Sequence, residues 1–234
     1  MKLLDSPLGR LLRKNGTRPP VIVSFSGIDG SGKSTQIESL CKRLEEAGLH
    51  VRLITFWDDV ATLKRLREGA GHKIFRGDEG VGTIEKPINR RDKNIRTPLM
   101  TVVRLLLYLL DAVSLRRITK DALKFQADVV IFDRYLYDEL ANLNLQNGAF
   151  RRYARWTMKL VPTPNVSFVL DGDPIEARAR KPEYPLEFLE FNRVSFLTLG
   201  KIFSGITVIP PMPIDDASAE IDRHLAKSLK MQIK

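Results

Sequence analysis

Apolar positions along the chain fall into short continuous runs and longer stretches with helical spacing. The short runs are rich in β-branched and aromatic residues and predict buried strands. They cover residues 21–25, 50–56, 128–132, 166–170 and 206–209. Five strands that alternate with helices predict an α/β fold, a three-layer, doubly wound parallel five-stranded sheet with right-handed crossovers.

The helices between these strands are predicted from apolar spacing and from start and stop signals. The longest runs from Thr97 to about residue 125. It begins with an N-cap followed by proline, and it is apolar on most sides, so it should lie in the core. The other predicted helices cover residues 36–47, 58–68, 137–145, 150–160, 174–181, 186–202 and 215–230.

Two segments fall outside this alternation. Residues 1–20 form an N-terminal extension in which five leucines alternate with basic residues. This pattern favours a short amphipathic helix on the domain surface or at a subunit interface, with an anchor on an anionic membrane surface as the alternative. Residues 69–96 are glycine-rich and basic, and are read either as a solvated charge run or as a binding surface for an anionic substrate. Residues 21–234 are expected to form one domain.

One glycine-rich segment joins the first strand to the first helix. Its sequence, GIDGSGKST over residues 27–35, fits the phosphate-binding pattern G-x-x-x-x-G-K-[ST]. A strand, a tight turn and a helix start aim backbone N–H groups and the positive end of the helix at an anion. The segment therefore predicts binding of a nucleoside triphosphate with Mg²⁺. The residues concerned are Gly27, Asp29, Gly30, Ser31, Gly32, Lys33, Ser34 and Thr35.

The amino-acid composition limits the classes of binding partner but does not identify one. A net charge of +10 and a pI of about 9.8 favour acidic partners. The basic residues are scattered and the aromatic residues are not interleaved with them, so nucleic acid is not expected. The single cysteine, Cys41, excludes an internal disulfide and fits a reducing cytoplasm. The most apolar run, residues 99–113, is interrupted by Arg104 and is judged too short and too charged for a membrane span.

Four segments, in order and spacing, resemble the thymidylate kinase family of P-loop nucleotide kinases. They are the glycine-rich loop with its internal Asp29, VIFDRY at residues 130–135, LDGDPIEARAR at residues 170–180 and ITVI at residues 206–209. The resemblance implies a P-loop NTPase fold of the nucleoside monophosphate kinase type. It also implies an ATP-dependent kinase that moves the γ-phosphoryl group to a nucleoside monophosphate, nominally dTMP. In that family the long apolar helix pairs across a homodimer.

The resemblance assigns roles in a reaction whose catalysis is mostly positioning and electrostatic stabilisation. The loop amides and their lysine hold the donor phosphates, and an aspartate after the third strand holds Mg²⁺ through water. The following arginine holds the acceptor phosphate, and arginines of a lid at about residues 178–186 close over the transferring group. Lys33 is the lysine that holds the donor phosphates, Ser34 binds Mg²⁺, and Asp133 holds the ion through water. Arg134 is the arginine for the acceptor phosphate, and Arg178 and Arg180 are the lid arginines.

The acceptor side departs from the family pattern. FWDD at residues 56–59 stands where the family has a phosphate-gripping arginine. In the long helix Tyr108 fits the base-stacking aromatic, whereas Ala112 stands in place of the base-reading arginine. The basic stretch at residues 86–96 is expected to supply replacement cations. The acceptor-side candidates are Asp29, Asp58, Asp59, Arg104, Tyr108, Asp111 and Arg134.

Two other functions stay open from the sequence. A kinase for a hydroxyl acceptor, a nucleoside or a sugar, would need a general base, and Asp58 or Asp59 is placed to serve as one. The same aspartates are equally suited to capping a helix. The third hypothesis is a nucleotide-binding protein without turnover that is tied to an anionic partner by its basic surface.

Overall fold

The computed structural model describes residues 19–61, 98–124 and 127–232, with side chains described as far as residue 228. Most of the N-terminal extension and the whole basic segment at residues 69–96 therefore lie outside the described residues, as do Thr97 and most of the helix predicted at residues 58–68.

Five short strands form one sheet in which every neighbouring pair is parallel. They are β1 (Val21–Ser26), β2 (Val51–Thr55), β3 (Val129–Asp133), β4 (Val166–Leu170) and β5 (Ile206–Ile209). Their order is β2-β3-β1-β4-β5, with the first strand in the middle. This arrangement confirms the predicted doubly wound α/β sheet, in which ligands bind at the carboxyl ends of the central strands.

Helices cover both faces of the sheet and complete the three predicted layers. They are α1 (Lys33–Glu46), α2 (Pro98–Ala122), α3 (Leu136–Leu140), α4 (Gly148–Met158), α5 (Pro174–Arg180), α6 (Leu186–Ile202) and α7 (Ile214–Gln232). Successive strand residues point to opposite faces. Val130 and Phe132 therefore pack with α2, α3, α4 and α6. Val129 and Ile131 pack instead with α1 and α7.

Two predicted elements differ from the structure. The helix predicted at residues 137–145 is the single short helix α3, and a turn follows it. The segment after β2 starts as a π-helical turn, Phe56–Val60, before the aspartates expected to begin a helix. The reason is local. The Asp59 carboxylate accepts a hydrogen bond from the backbone N–H of Thr55, four residues earlier, at 2.8 Å, and this bond stabilises the turn.

Helix α2 is unusually long and apolar, at 25 residues. Within the described ranges it is the one helix that has the length and composition to cross a membrane, a test that core helices also pass. It buries Arg104 and Asp111 against the rest of the protein. Its opposite side leaves a stripe of large apolar side chains exposed. The stripe consists of Leu99, Val102, Leu106, Leu110 and Val113.

Candidate active site

The glycine-rich loop lies between the carboxyl end of β1 and the start of α1. Gly27, Gly30 and Gly32 all have positive φ angles, at 142°, 86° and 89°. A Cβ atom on Gly30 would lie 2.3 Å from the carbonyl oxygen of Ala177, and one on Gly27 would lie 2.5 Å from that of Leu170. Only glycine fits at these two positions, so the loop packs directly against β4 and α5.

Lys33, the first residue of α1, is buried inside this loop. Its Nζ atom donates hydrogen bonds of 2.8 Å to the carbonyl oxygens of Gly27 and Ile28. Burial and the neighbouring Arg134 lower the pKa of Lys33 to about 8, although nearby carboxylates oppose the shift. The Ser31 hydroxyl is also buried and has no hydrogen-bond partner in the described structure. A buried ammonium and an unsatisfied hydroxyl beside glycine amides are a chemical fit for phosphate oxygens.

The Asp-Arg-Tyr segment is placed beside the loop by strand pairing. Asp133 is in register with Phe25 at the carboxyl ends of β3 and β1. Arg134 has a φ of 69°, and its backbone N–H donates to the Phe25 carbonyl oxygen at 2.9 Å. Its guanidinium forms ion pairs with Asp29 of the loop and, at 3.5 Å, with Asp138 of α3. Burial opposes the charge of Arg134, but the carboxylates raise its pKa above the usual range.

Asp138 is a buried carboxylate that sequence analysis did not select. It accepts hydrogen bonds from the Ser26 hydroxyl at 2.6 Å and from the Tyr135 backbone N–H at 3.2 Å. Burial raises its pKa, although Arg134 and Lys33 work against the shift. Loop, β1 and α3 are thus joined by one polar network that holds the Arg134 guanidinium between two carboxylates.

A small, partly open cavity lies beside this network. It has a polar wall and an aromatic wall. The polar wall consists of Asp29, Arg134, Asp138, Glu139, Asn142 and Asn192. Trp57, Phe188 and Phe196 supply the aromatic wall, and Gly27 with Ile28 closes the loop side. The mixture of aromatic rings and fixed polar groups suits a small planar ligand with hydrogen-bonding edges.

Two asparagines in the cavity wall hold each other in one orientation. The side-chain amide nitrogen of Asn192 donates to the Ala141 carbonyl oxygen at 3.0 Å and to Asn142 Oδ1 at 3.4 Å. Asn142 in turn donates to the Tyr108 hydroxyl at 3.2 Å. Because its donors are used internally, Asn192 presents its carbonyl oxygen as the group left to accept a hydrogen bond from a ligand.

The structure brings only some of the predicted acceptor residues to this cavity. Asp29 and Arg134 line it. Arg104, Tyr108 and Asp111 are buried in α2 and lie outside its lining, with Tyr108 behind Asn142. The aspartates after β2 are exposed and also lie outside the lining; they are Asp58 and Asp59. Trp57 of the same turn lines the cavity instead.

The two predicted lid arginines have different surroundings on α5. Arg178 is half-buried and follows Ala177, the residue in contact with the loop at Gly30. Arg180 is exposed and forms an ion pair with Glu176 at 3.3 Å. Arg178 is therefore the arginine nearer to the loop along the helix, and Arg180 belongs to the solvent-exposed side.

Sequence reasoning missed most of the cavity wall. Asn192 is a polar residue in helical spacing with Leu189 and Phe196 on the buried side of α6, which is the signal that was available. Asp138 and Glu139 follow the Asp-Arg-Tyr segment within one helical turn, and both are buried acids. Trp57 belongs to the FWDD segment, in which the predicted roles were assigned to the two aspartates.

Comparison with curated proteins finds relatives along nearly the whole chain. A probable thymidylate kinase of Methanosphaera stadtmanae is 28% identical over 217 residues, which cover 89% of this chain and 99% of the relative. A probable thymidylate kinase of Pyrococcus abyssi is 26% identical over 203 residues, covering 81% of this chain and 87% of the relative. No family model matches the chain.

Solved structures agree in fold. The thymidylate kinase of Ehrlichia chaffeensis superimposes with a TM-score of 0.58 at 20% identity, over 89% of this chain and 99% of that one. The thymidylate kinase of Candida albicans gives a TM-score of 0.59 at 18% identity, over 90% of this chain and 94% of that one. These comparisons confirm the resemblance drawn from the four sequence segments, since the curated relatives are named as thymidylate kinases or probable thymidylate kinases and the solved structures share the fold.

Proposed function

We propose that this protein transfers the γ-phosphoryl group of ATP to a nucleoside monophosphate, with dTMP as the acceptor. The observation that carries the proposal is the junction of two sites. A phosphate loop with a buried lysine meets, through Asp29 and Arg134, a cavity with aromatic and amide walls. The names of the relatives add the acceptor, because all of those described above are thymidylate kinases.

On the donor side, the loop residues Gly27 to Thr35 and Lys33 would hold the triphosphate. Ser34 and, through water, Asp133 would hold Mg²⁺, which neutralises charge on the phosphates when it is bound. Among the residues that the structure describes, there is no group of three or more metal-ligating side chains. Such a sparse protein ligand set suits Mg²⁺, which keeps several waters and phosphate ligands.

On the acceptor side, Arg134 would hold the acceptor phosphate, and in doing so would exchange a carboxylate partner for a phosphate. The aromatic wall at Trp57, Phe188 and Phe196 would take the base by stacking. The fixed carbonyl oxygen of Asn192 is suited to accept a hydrogen bond from a base N–H. Arg178, with Arg180 behind it, would approach the transferring group from α5 and stabilise its charge.

ADP release from Mg·ATP tests the function against a panel of dTMP, dUMP, UMP, dCMP, AMP, GMP, thymidine and simple sugars. We expect dTMP to stimulate release most. The chain has two tryptophans, so in a Trp156→Phe variant the fluorescence of Trp57 reports acceptor binding separately. A signal with thymidine or a sugar but with none of the monophosphates would overturn the proposal and favour a hydroxyl acceptor. Nucleotide binding without any turnover would favour a non-catalytic protein.

We also propose that two copies pair through the exposed stripe of α2. Its members, at positions 99, 102, 106, 110 and 113, recur every three or four residues, which is the spacing that packs one helix against another. An identical helix is the partner that would cover the stripe without any second protein.

Leu106→Glu is therefore expected to convert the dimer to a monomer, since it puts a charge in the middle of the stripe, where Leu106 is 59% exposed. Light scattering coupled to size exclusion measures the mass. Val194→Glu, which changes an apolar residue of α6 that is 50% exposed, is the matched control and should leave the mass unchanged. A wild-type protein that already elutes as a monomer at micromolar concentration would refute the pairing.

We place the protein in a reducing cytoplasm. Cys41 is half-buried on α1, and burial raises the pKa of its thiol, which makes it a packing residue and not a reactive thiolate.

A further inference from the structure

The amino-terminal ends of the strands form the edge of the sheet opposite the phosphate loop. Helix α4 leads into β4 at this edge, and α2 leads into β3. The carboxyl end of α7 also reaches it, because the Ser228 hydroxyl donates to the Asn165 carbonyl oxygen at 2.9 Å. The chain enters β1 at this edge from Pro19.

The exposed side of α4 is cationic. Arg152, Arg155 and Lys159 are exposed and lie at helical spacing on one side, with Trp156 between them. The helix buries Ala154, Thr157 and Met158 on the other side. Trp156 is 53% exposed, which is unusual for a side chain of this size. Helix α4 itself contains no acidic residue.

The carboxyl half of α2 continues the same cationic surface. Arg116, Arg117 and Lys120 are exposed. The Arg116 guanidinium donates to the Leu160 carbonyl oxygen at 3.5 Å, directly after Lys159, and so joins the two helices. We call the seven residues the basic face. It consists of Arg116, Arg117, Lys120, Arg152, Arg155, Trp156 and Lys159.

The acids at this edge do not neutralise the basic face. Asp121 of α2 forms its own ion pair with Lys124 at 2.7 Å, and Asp128 accepts a hydrogen bond from the His50 backbone N–H. Glu45 and Glu46 end α1, which packs on the other side of the sheet. Within the described part of the chain, none of the six cations of the basic face forms an ion pair with a carboxylate.

We propose that the basic face docks the protein on an anionic membrane surface. Six cations on the outer sides of two packed helices suit an extended layer of phosphate headgroups, and each added cation strengthens the attraction. Tryptophan is the side chain that partitions best at the headgroup level. The phosphate loop, at the opposite edge, stays open to solution.

Nucleic acid is the competing polyanion. Trp156 lies among arginines, although elsewhere in the sequence the aromatic residues are not interleaved with basic ones. Sequence-independent binding of a single strand typically uses several aromatic platforms along a groove. The basic face has one aromatic residue and is made from outward helix surfaces. These observations favour a planar layer of headgroups.

The test is co-sedimentation of the full-length protein with phosphatidylcholine vesicles that contain about one third phosphatidylglycerol, in about 0.1 M salt. The variant Arg152→Gln/Arg155→Gln/Lys159→Gln should bind about tenfold more weakly or worse. The control Lys42→Gln/Lys201→Gln/Arg223→Gln removes the same charge from exposed residues elsewhere and should bind within about twofold of wild type. Both should keep the wild-type melting temperature and ADP release in solution.

A second readout follows Trp156 itself. In the single-tryptophan variant Trp57→Phe, its emission should shift to shorter wavelength on anionic vesicles and not on pure phosphatidylcholine. Equal loss of binding in the two triple variants would overturn the proposal, because charge alone would then explain the attraction. A single-stranded oligonucleotide that displaces the protein from vesicles and itself shifts Trp156 emission would assign the basic face to nucleic acid instead.

Discussion

Lys33→Ala is expected to lower kcat by about 10²–10³-fold, the cost of removing one preorganised charge from a transferring phosphoryl group. The ammonium lies inside the loop, where no other cation of α1 reaches, since Lys42 and Arg43 are two turns further along the helix. ADP release at saturating ATP measures the effect. Lys42→Ala, an exposed lysine on the same helix, should behave as wild type. A variant that keeps more than about a tenth of wild-type kcat would exclude Lys33 from the reaction.

The pH dependence gives the same prediction a second measurement. The pKa of Lys33 is about 8 in the protein without nucleotide, because burial disfavours its charge. Lys33 is therefore charged below about pH 8 and becomes neutral above it. Affinity for ATP should fall as pH rises through this value, and bound phosphate should move the transition upward. An ATP affinity that stays constant from pH 7 to pH 9 would contradict this account of the loop.

Arg134→Ala should have two large effects, one on the acceptor and one on the fold. Without the guanidinium, the acceptor phosphate loses its cation and meets Asp29 and Asp138 instead, so KM for the monophosphate should rise about 10²-fold. The free energy of unfolding should fall by about 3–5 kcal/mol, the cost of leaving a buried carboxylate without its partner. Steady-state kinetics and urea unfolding measure the two effects separately.

Asp138 supplies the control for that fold effect. In Arg134→Ala/Asp138→Asn the unpaired buried charge is gone, so part of the lost stability should return while KM stays high. Because burial already raises the pKa of Asp138, and Arg134 opposes that shift, removal of Arg134 should raise it further. The folded variant then binds a proton more readily than the unfolded chain, so its stability should recover as pH falls through this pKa. A double variant as unstable as Arg134→Ala alone would show that Asp138 is not the affected group.

Local patterns in the sequence were enough to predict the sheet and the phosphate loop. Strands β4 and β5 and helix α6 begin and end at the predicted residues, because short, mainly apolar runs define the two strands and Pro185 with helical apolar spacing defines α6. The loop is encoded in nine consecutive residues, and contacts with β4 and α5 require glycine at Gly27 and Gly30. For these elements, residues that are close in the sequence determine the conformation.

The cavity beside the loop depends on packing between distant elements, and most of its wall was not among the residues selected from the sequence. Trp57, Asn142 and Asn192 come together from three separate segments, and no local pattern links them. Tyr108 was predicted to face the ligand from its position in the long helix. In the structure its hydroxyl accepts a hydrogen bond from the buried amide of Asn142, a residue of the cavity wall. Which side of a helix faces a cavity is decided by such pairings and not by spacing alone.

The contact between Gly30 and Ala177 makes the phosphate loop and α5 a single mechanical part. A methyl group on Gly30 would collide with the Ala177 carbonyl oxygen, so the loop and α5 are in close backbone contact with no gap between them. Any tilt of α5 that carries Arg178 toward or away from the loop must also shift the backbone that grips the donor. Movements of the loop that holds the donor phosphates and of the helix that carries Arg178 are therefore coupled. A substitution that loosened the contact between Gly30 and Ala177 would uncouple them even if every charged residue were kept.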